Sequence, residues 1–229
     1  MGKDTKISWC DATWNPVTGC TKVSAGCRNC YSEALDKRFH RDGPYVPWTV
    51  AAQRKAGVPA IHLHPERLPA PFHWEKPRRI FVNSMSDLFH EDVPFEFIDK
   101  VFAVMALAHQ HVFQVLSKRP ERMLEYMVQA HVSDLLSKDL ETYLKWPLPN
   151  VWIGVSVENQ RNLPRLKVLA RVPAKVRFIS AEPLLSALDI NPFFYMCNGC
   201  GETPCACQGL TIQQVIVGGE SGPGYRPLE

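Results

Sequence analysis

Five short apolar runs recur along the chain, and each ends in residues able to do chemistry. They are "RRIFVNSMSD" (78–87), "HVFQVLSKRP" (111–120), "VWIGVSVEN" (151–159), "VRFISAEP" (176–183) and "QVIVGGESG" (214–222). Each begins β-branched or aromatic and reads as a buried strand with a polar tip. Segments of helical spacing lie between them. "PFEFIDKVFAVMALAHQ" (94–110) sets Phe97, Val101, Val104, Met105 and Ala108 on one face. "PERMLEYMVQA" (120–130) opens on a proline suited to a first helical turn, and "NLPRLKVLARV" (162–172) supplies a third helix. Strand, polar tip, helix, strand is the grammar of a parallel α/β fold. A first strand in "DATWNPVTG" (11–19) brings the number to about six. The expectation is therefore a single domain over 1–229, a partial (β/α)6 TIM-type barrel whose ligands gather at the C-terminal ends of the strands. A doubly wound open sheet is the competing arrangement. Residues 40–76, rich in Pro, His and aromatic side chains, read as an irregular excursion with a helix near 48–56.

Composition sets the outer bounds. The 229 residues are 45% apolar and 21% charged, enough to build a core, and the net charge of +3 permits a nucleic-acid partner without arguing for one. No apolar run is long enough to span a membrane, and the N-terminus lacks the hydrophobic segment of a signal peptide. A cytoplasmic location follows as the expectation. In that reducing setting, eight cysteines at short spacings read as metal ligands rather than disulfides.

The first group is Cys20, Cys27 and Cys30, with six residues between the first two and two between the last two. Three thiolates leave a fourth position to account for. Cys10 or His40 could close a zinc site. Alternatively, the three could hold three irons of a cubane cluster and leave the fourth iron open to a ligand. The second group, "MCNGCGETPCACQG" (196–209), carries Cys197, Cys200, Cys205 and Cys207 and has a complete set of four. It reads as a small Cys-rich insertion over 194–210 holding zinc, or else a second iron–sulfur cluster, in a structural role. Cys10 is then left as a buried free thiol.

On these residues a resemblance becomes specific. "WNPVTGCTKVSAGCRNCYSEAL" looks like the cluster loop of radical S-adenosylmethionine enzymes, particularly the spore photoproduct lyase-like branch, although the common spacing there has three residues between the first two cysteines. "VNSMSDLFHEDVP" resembles the Ser/Thr-Asp segment that closes the second strand in that branch. "QVLSKRP" and "VIVGGESG" resemble its third and sixth strands. The set "WNPVTGC", "LSKRP", "GVSVEN", "ISAEPLL" and "VGGESGPGYRP" is closer still to an uncharacterised family of phages and prophages, which shares the six-residue spacing. That set leads one to expect a further helix and strand beyond residue 229.

The resemblance implies a [4Fe–4S] cluster on Cys20, Cys27 and Cys30, S-adenosylmethionine as cofactor and an external electron donor. The product of their reaction is a 5′-deoxyadenosyl radical. Asn83, Ser84, Ser86 and Asp87 would then lie near the cofactor's ammonium and ribose, which need carboxylate and hydroxyl partners. Ser117, Ser156 and Glu158 end neighbouring strands and join this cofactor-binding set. Lys118, a candidate catalytic residue, could meet a cofactor carboxylate or a substrate phosphate. Glu182, between a strand and a proline, and Glu220, after two glycines, are the candidate catalytic carboxylates facing the mouth. Ion pairing with Arg119, Arg177 or Arg226 is the structural alternative for these acids. The phage-like resemblance points to a nucleic acid or nucleotide as substrate. A competing function is a non-catalytic zinc-binding module that contacts nucleic acid through "KRPER" (118–122) and "NLPRLKVLARVPAKVR" (162–177). A conventional zinc hydrolase lacks support, since no HExxH motif occurs.

Overall fold

Each apolar run forms a strand, and the strands pair side by side in sequence order. The computed structural model describes residues 5–33, 61–129, 146–191, 212–221 and 224–227. Within them a six-stranded parallel sheet is built from β1 (Ala12–Trp14), β4 (Arg79–Val82), β5 (Val112–Ser117), β6 (Val151–Ser156), β7 (Val176–Ala181) and β8 (Gln214–Val217), in that order. A two-stranded antiparallel ribbon, β2 (Val17–Thr18) with β3 (His62–Leu63), sits beside it. The expected helices appear as α1 (Phe95–Leu107), α2 (Pro120–Gln129) and α3 (Pro164–Arg171). Their limits fall within a few residues of the sequence expectation. The expected helix near 48–56, His40 and the four cysteines at 197–207 lie outside the described residues.

Proline opens each helix, as the extended N-cap Pro94 of α1 and as the first helical residue, Pro120 and Pro164, of α2 and α3, and each helix buries one face. In α1 this face is Phe97, Ile98, Val101, Phe102, Val104 and Met105; in α2 it is Met123, Tyr126 and Met127; in α3 it is Leu166 and Leu169. These side chains pack on one side of the sheet, against Ile80, Val82, Phe113, Val115, Ile153, Val155 and Ile179, and that contact is the core. Because side chains alternate across a strand, Phe81, Gln114, Gly154, Phe178 and Gln214 face the other way.

That second face is concave. The Gln114 side-chain amide on β5 donates to the Gln214 side-chain oxygen on β8 at 3.3 Å, although two strands intervene. In a flat sheet such strands would stand roughly 14 Å apart. The ring of Trp9 likewise bridges Phe81 on β4, 4.6 Å away, and Phe178 on β7, 6.4 Å away. Gly154 makes room for this crowding, because a β-carbon there would stand 2.5 Å from the Phe178 ring. The fold is thus mixed α/β with a curved six-stranded parallel sheet. Among the described residues no helix is long and apolar enough to cross a membrane.

Candidate functional site: a cysteine loop over the strand tips

The inward parity of the sheet continues past the strand ends and carries the polar tips. Counting by two runs from Phe81 to Asn83, from Leu116 to Lys118, from Gly154 to Ser156, from Phe178 through Ser180 to Glu182, and from Ile216 through Gly218 to Glu220. These tips, with Ser84, Ser86, Asp87 and Ser117, line one cavity of about 890 Å³. Cys20, Cys27 and Cys30 line the same cavity, together with the apolar wall of Ile7, Trp9, Tyr31 and Phe81. Such a volume suits a cofactor-sized ligand.

The cysteine loop crosses the mouth and is tied to several tips. At the β5 end, the Arg119 guanidinium donates to Cys20 Sγ at 3.7 Å, to the Thr21 carbonyl at 3.1 Å and to Thr21 Oγ1 at 2.7 Å. At the β6 end, Ser24 Oγ donates to Glu158 Oε1 at 2.6 Å. At the β8 end, the Asn29 amide donates to Glu220 at 2.9 Å, and Arg226 bridges Glu220 to the Ala25 carbonyl. The Tyr31 hydroxyl donates to the Ser84 carbonyl beyond β4. A short 3-10 turn, Ala25–Cys27, carries the middle of the loop.

Burial dominates the electrostatics. It pushes the Cys20 thiol up to about 12, with nearby Asp87 adding and the Arg119 guanidinium opposing. Burial likewise raises the Cys30 thiol, and the Tyr31 hydroxyl with it. Cys20, Cys27 and Cys30 are all free thiols, as is buried Cys10, which burial holds near 11. Among the described residues no three His, Cys, Asp or Glu side chains converge on a point as a single-ion site requires. The three cysteines share one cavity and do not meet at one point.

The candidate site residues fall into three situations. Lys118 and Glu182 face the cavity with capacity to spare. Lys118 Nζ donates to Ser156 Oγ at 3.1 Å and lies 3.9 Å from Glu158, while exposed Glu182 accepts, among the described residues, only a long bond of 3.4 Å from the Trp9 indole. Asn83, Ser84, Ser86, Asp87 and Ser117 line the cavity but are engaged in holding the strand ends. Asn83, in the left-handed region at φ 61°, accepts the Val17 N–H; Ser84 donates to Asn15, Ser86 to the Val17 carbonyl, and Ser117 to Asp87. Glu158 and Glu220 are clamped. Glu158 is fully buried behind the loop and outside the cavity lining, and Glu220 pairs with Arg226, which holds its carboxyl down at about 2. The ion-pair alternative therefore describes Glu220. Ser24, Gly26 and Asn29 have no counterpart in the sequence expectation, which named Arg226 only as an ion-pair partner for the acids. The partners of these three lie more than a hundred residues away, and only the small residues of "SAGC" hinted at close packing.

Comparison with known proteins corrects one expectation. No curated protein and no solved structure matches the chain. The likeness to radical S-adenosylmethionine enzymes and their spore photoproduct lyase-like branch is not upheld, because the family match falls elsewhere. Six residues also lie between Cys20 and Cys27, where that superfamily commonly has three. The matching family description covers residues 4–229, and on that match the chain belongs to the family described as Protein of unknown function (DUF5131).

Proposed function

We propose that the chain is an enzyme in which Cys20, Cys27 and Cys30 hold a [4Fe–4S] cluster with one open iron, and that S-adenosylmethionine is the ligand of that iron. The observation that carries this reading is the convergence of three thiols and the polar tips of five neighbouring strands on one cavity of about 890 Å³. The curved sheet fits it as an open (β/α)6 barrel, with sequential parallel strands and side chains that meet across the concave face. A cluster held by these three cysteines would supply one-electron reduction of the sulfonium, with the electron drawn from an external donor, methionine leaving and the resulting 5′-deoxyadenosyl radical available to a nucleotide or nucleic-acid substrate.

The chain's own residues would bind and orient. Lys118, steadied by Ser156, presents its ammonium to the ligand's carboxylate, and Glu182 offers the acceptor that an ammonium needs. Trp9, Tyr31 and Phe81 form an apolar wall against which a radical is shielded from water. Arg119 holds Cys20 from behind. By their spacing, Cys197, Cys200, Cys205 and Cys207 would hold zinc or a second iron–sulfur cluster.

Anaerobic reconstitution with iron and sulfide should give a brown protein. Cys20→Ala, Cys27→Ala and Cys30→Ala should each lose about four irons per chain and the visible absorption that goes with them. Reduced with dithionite, the wild type should convert S-adenosylmethionine to 5′-deoxyadenosine and methionine. A protein that stays colourless and carries only zinc after reconstitution overturns the reading.

A further inference from the structure

Glu158 is the one candidate carboxylate that cannot reach the cavity, and its surroundings give it a different task. It extends from the tip of β6 with no solvent exposure and meets the cysteine loop from behind. Its Oε2 accepts from Asn162 at 2.6 Å and from Arg165 at 2.9 Å, while its Oε1 accepts from Ser24 at 2.6 Å. Gly26 lies directly on it: a β-carbon there would stand 2.6 Å from Oε1. The same Ser24 hydroxyl is 3.8 Å from Cys27 Sγ, and the Ser24 carbonyl accepts the Cys27 N–H at 3.0 Å. One hydroxyl thus joins a buried carboxylate to a cysteine sulfur.

A hydroxyl has one proton to give, and a carboxylate only accepts. With that proton committed to Glu158, Ser24 turns its lone pairs to Cys27. We propose that Glu158 is a positioning residue acting through Ser24, holding the 3-10 turn in place and keeping the Ser24 proton off the Cys27 sulfur. The proposal rests on the reading of Cys27 as a cluster ligand, since hydrogen bonds to ligand sulfurs tune such a centre's potential.

The orientation of an amide in place of the carboxylate is dictated by its neighbours. In Glu158→Gln the oxygen must face the donors Asn162 and Arg165, so the NH2 faces Ser24. The hydroxyl then accepts from the amide and gives its own proton to sulfur. Two measurements test this. In the metal-free protein, hydrogen exchange at the Cys27 and Arg28 amides should be roughly tenfold faster in Ser24→Ala than in wild type, the loss expected of one buried hydrogen bond. Ser24→Ala leaves the Glu158–Arg165 pair intact, so it remains informative if Glu158→Ala fails to fold. In the reconstituted protein, dithionite titration should show a positive shift of midpoint potential in Glu158→Gln. That shift should vanish in Glu158→Gln/Ser24→Ala. Unchanged exchange in Ser24→Ala, or an equal shift in the single and double variants, overturns the latch. If wild type takes up no iron and sulfide, the cluster reading alone fails, and the exchange measurement still decides whether the latch exists.

Discussion

Asp87 accepts four hydrogen bonds, from the N–H groups of Phe89 (3.0 Å) and Lys118 (2.9 Å), the Ser117 hydroxyl (2.8 Å) and the Arg119 guanidinium (3.3 Å). That set spends its lone pairs on fixing the end of β5 rather than on a ligand. Arg119 in turn uses its planar fork on Glu91, Asp87, Cys20 and Thr21 at once. Both side chains are over nine-tenths buried, so screening by solvent is weak. Asp87→Asn exchanges acceptors for donors opposite a guanidinium and should cost about 3–5 kcal/mol, the usual penalty for breaking one partner of a buried pair. Urea denaturation reads this directly, and a change within about 0.5 kcal/mol would mean the network is not structural. The Lys-Arg pair after β5 showed where basic groups would gather, but its two members divide their labour. Lys118 turns into the cavity while Arg119 turns to the loop, a split that depends on period-two parity at the strand end.

At the scale of elements, six strands and three helices were legible because each carries an unmixed period and a proline or glycine boundary. The inward face was legible too, for anyone counting by two from Phe81, Gly154 and Phe178 into the polar tips. The curvature that lets Gln114 meet Gln214 was not, because it comes from packing across strands far apart in sequence. Gly154 marks that packing, lying in register between Leu116 on β5 and Phe178 on β7. Gly154→Ala forces a methyl group against the Phe178 ring and should destabilise by about 1–3 kcal/mol, as overpacking does. Adding Phe178→Leu should recover part of that loss, which a double-mutant cycle in urea would measure. Simple additivity of the two changes would show that the ring is not what the methyl meets.

For the whole molecule, pH reveals which buried groups the fold keeps uncharged. His111 is fully buried against Trp74 and Phe113, donates from Nε2 to the Pro71 carbonyl at 3.0 Å, and has its pKa lowered below the ordinary 6.5, chiefly by burial. His90 is also fully buried and lowered, first by burial and then by the Arg119 charge. Its Nδ1 accepts the Asp92 N–H, so its Nε2–H donates to Thr21. Below 6.5 the unfolded chain therefore binds protons that the folded chain refuses, and stability falls with pH from that point. Carboxylates act at the next stage. Glu220, held down at about 2 by Arg226, contributes stability that is complete above its ordinary 4.5 and is lost as pH falls from there towards 2. Asp11, lowered by bonds from Arg79, adds to the same acid limb. Urea midpoints should be flat from about pH 8 to about 6.5, fall gently to about 4.5, and fall steeply below. His111→Gln should reduce the slope of the first limb, leaving the part due to His90, and spare the second, while Glu220→Gln should reduce the second and spare the first. A first limb that keeps its full slope in His111→Gln would show that this imidazole is not a source of the loss.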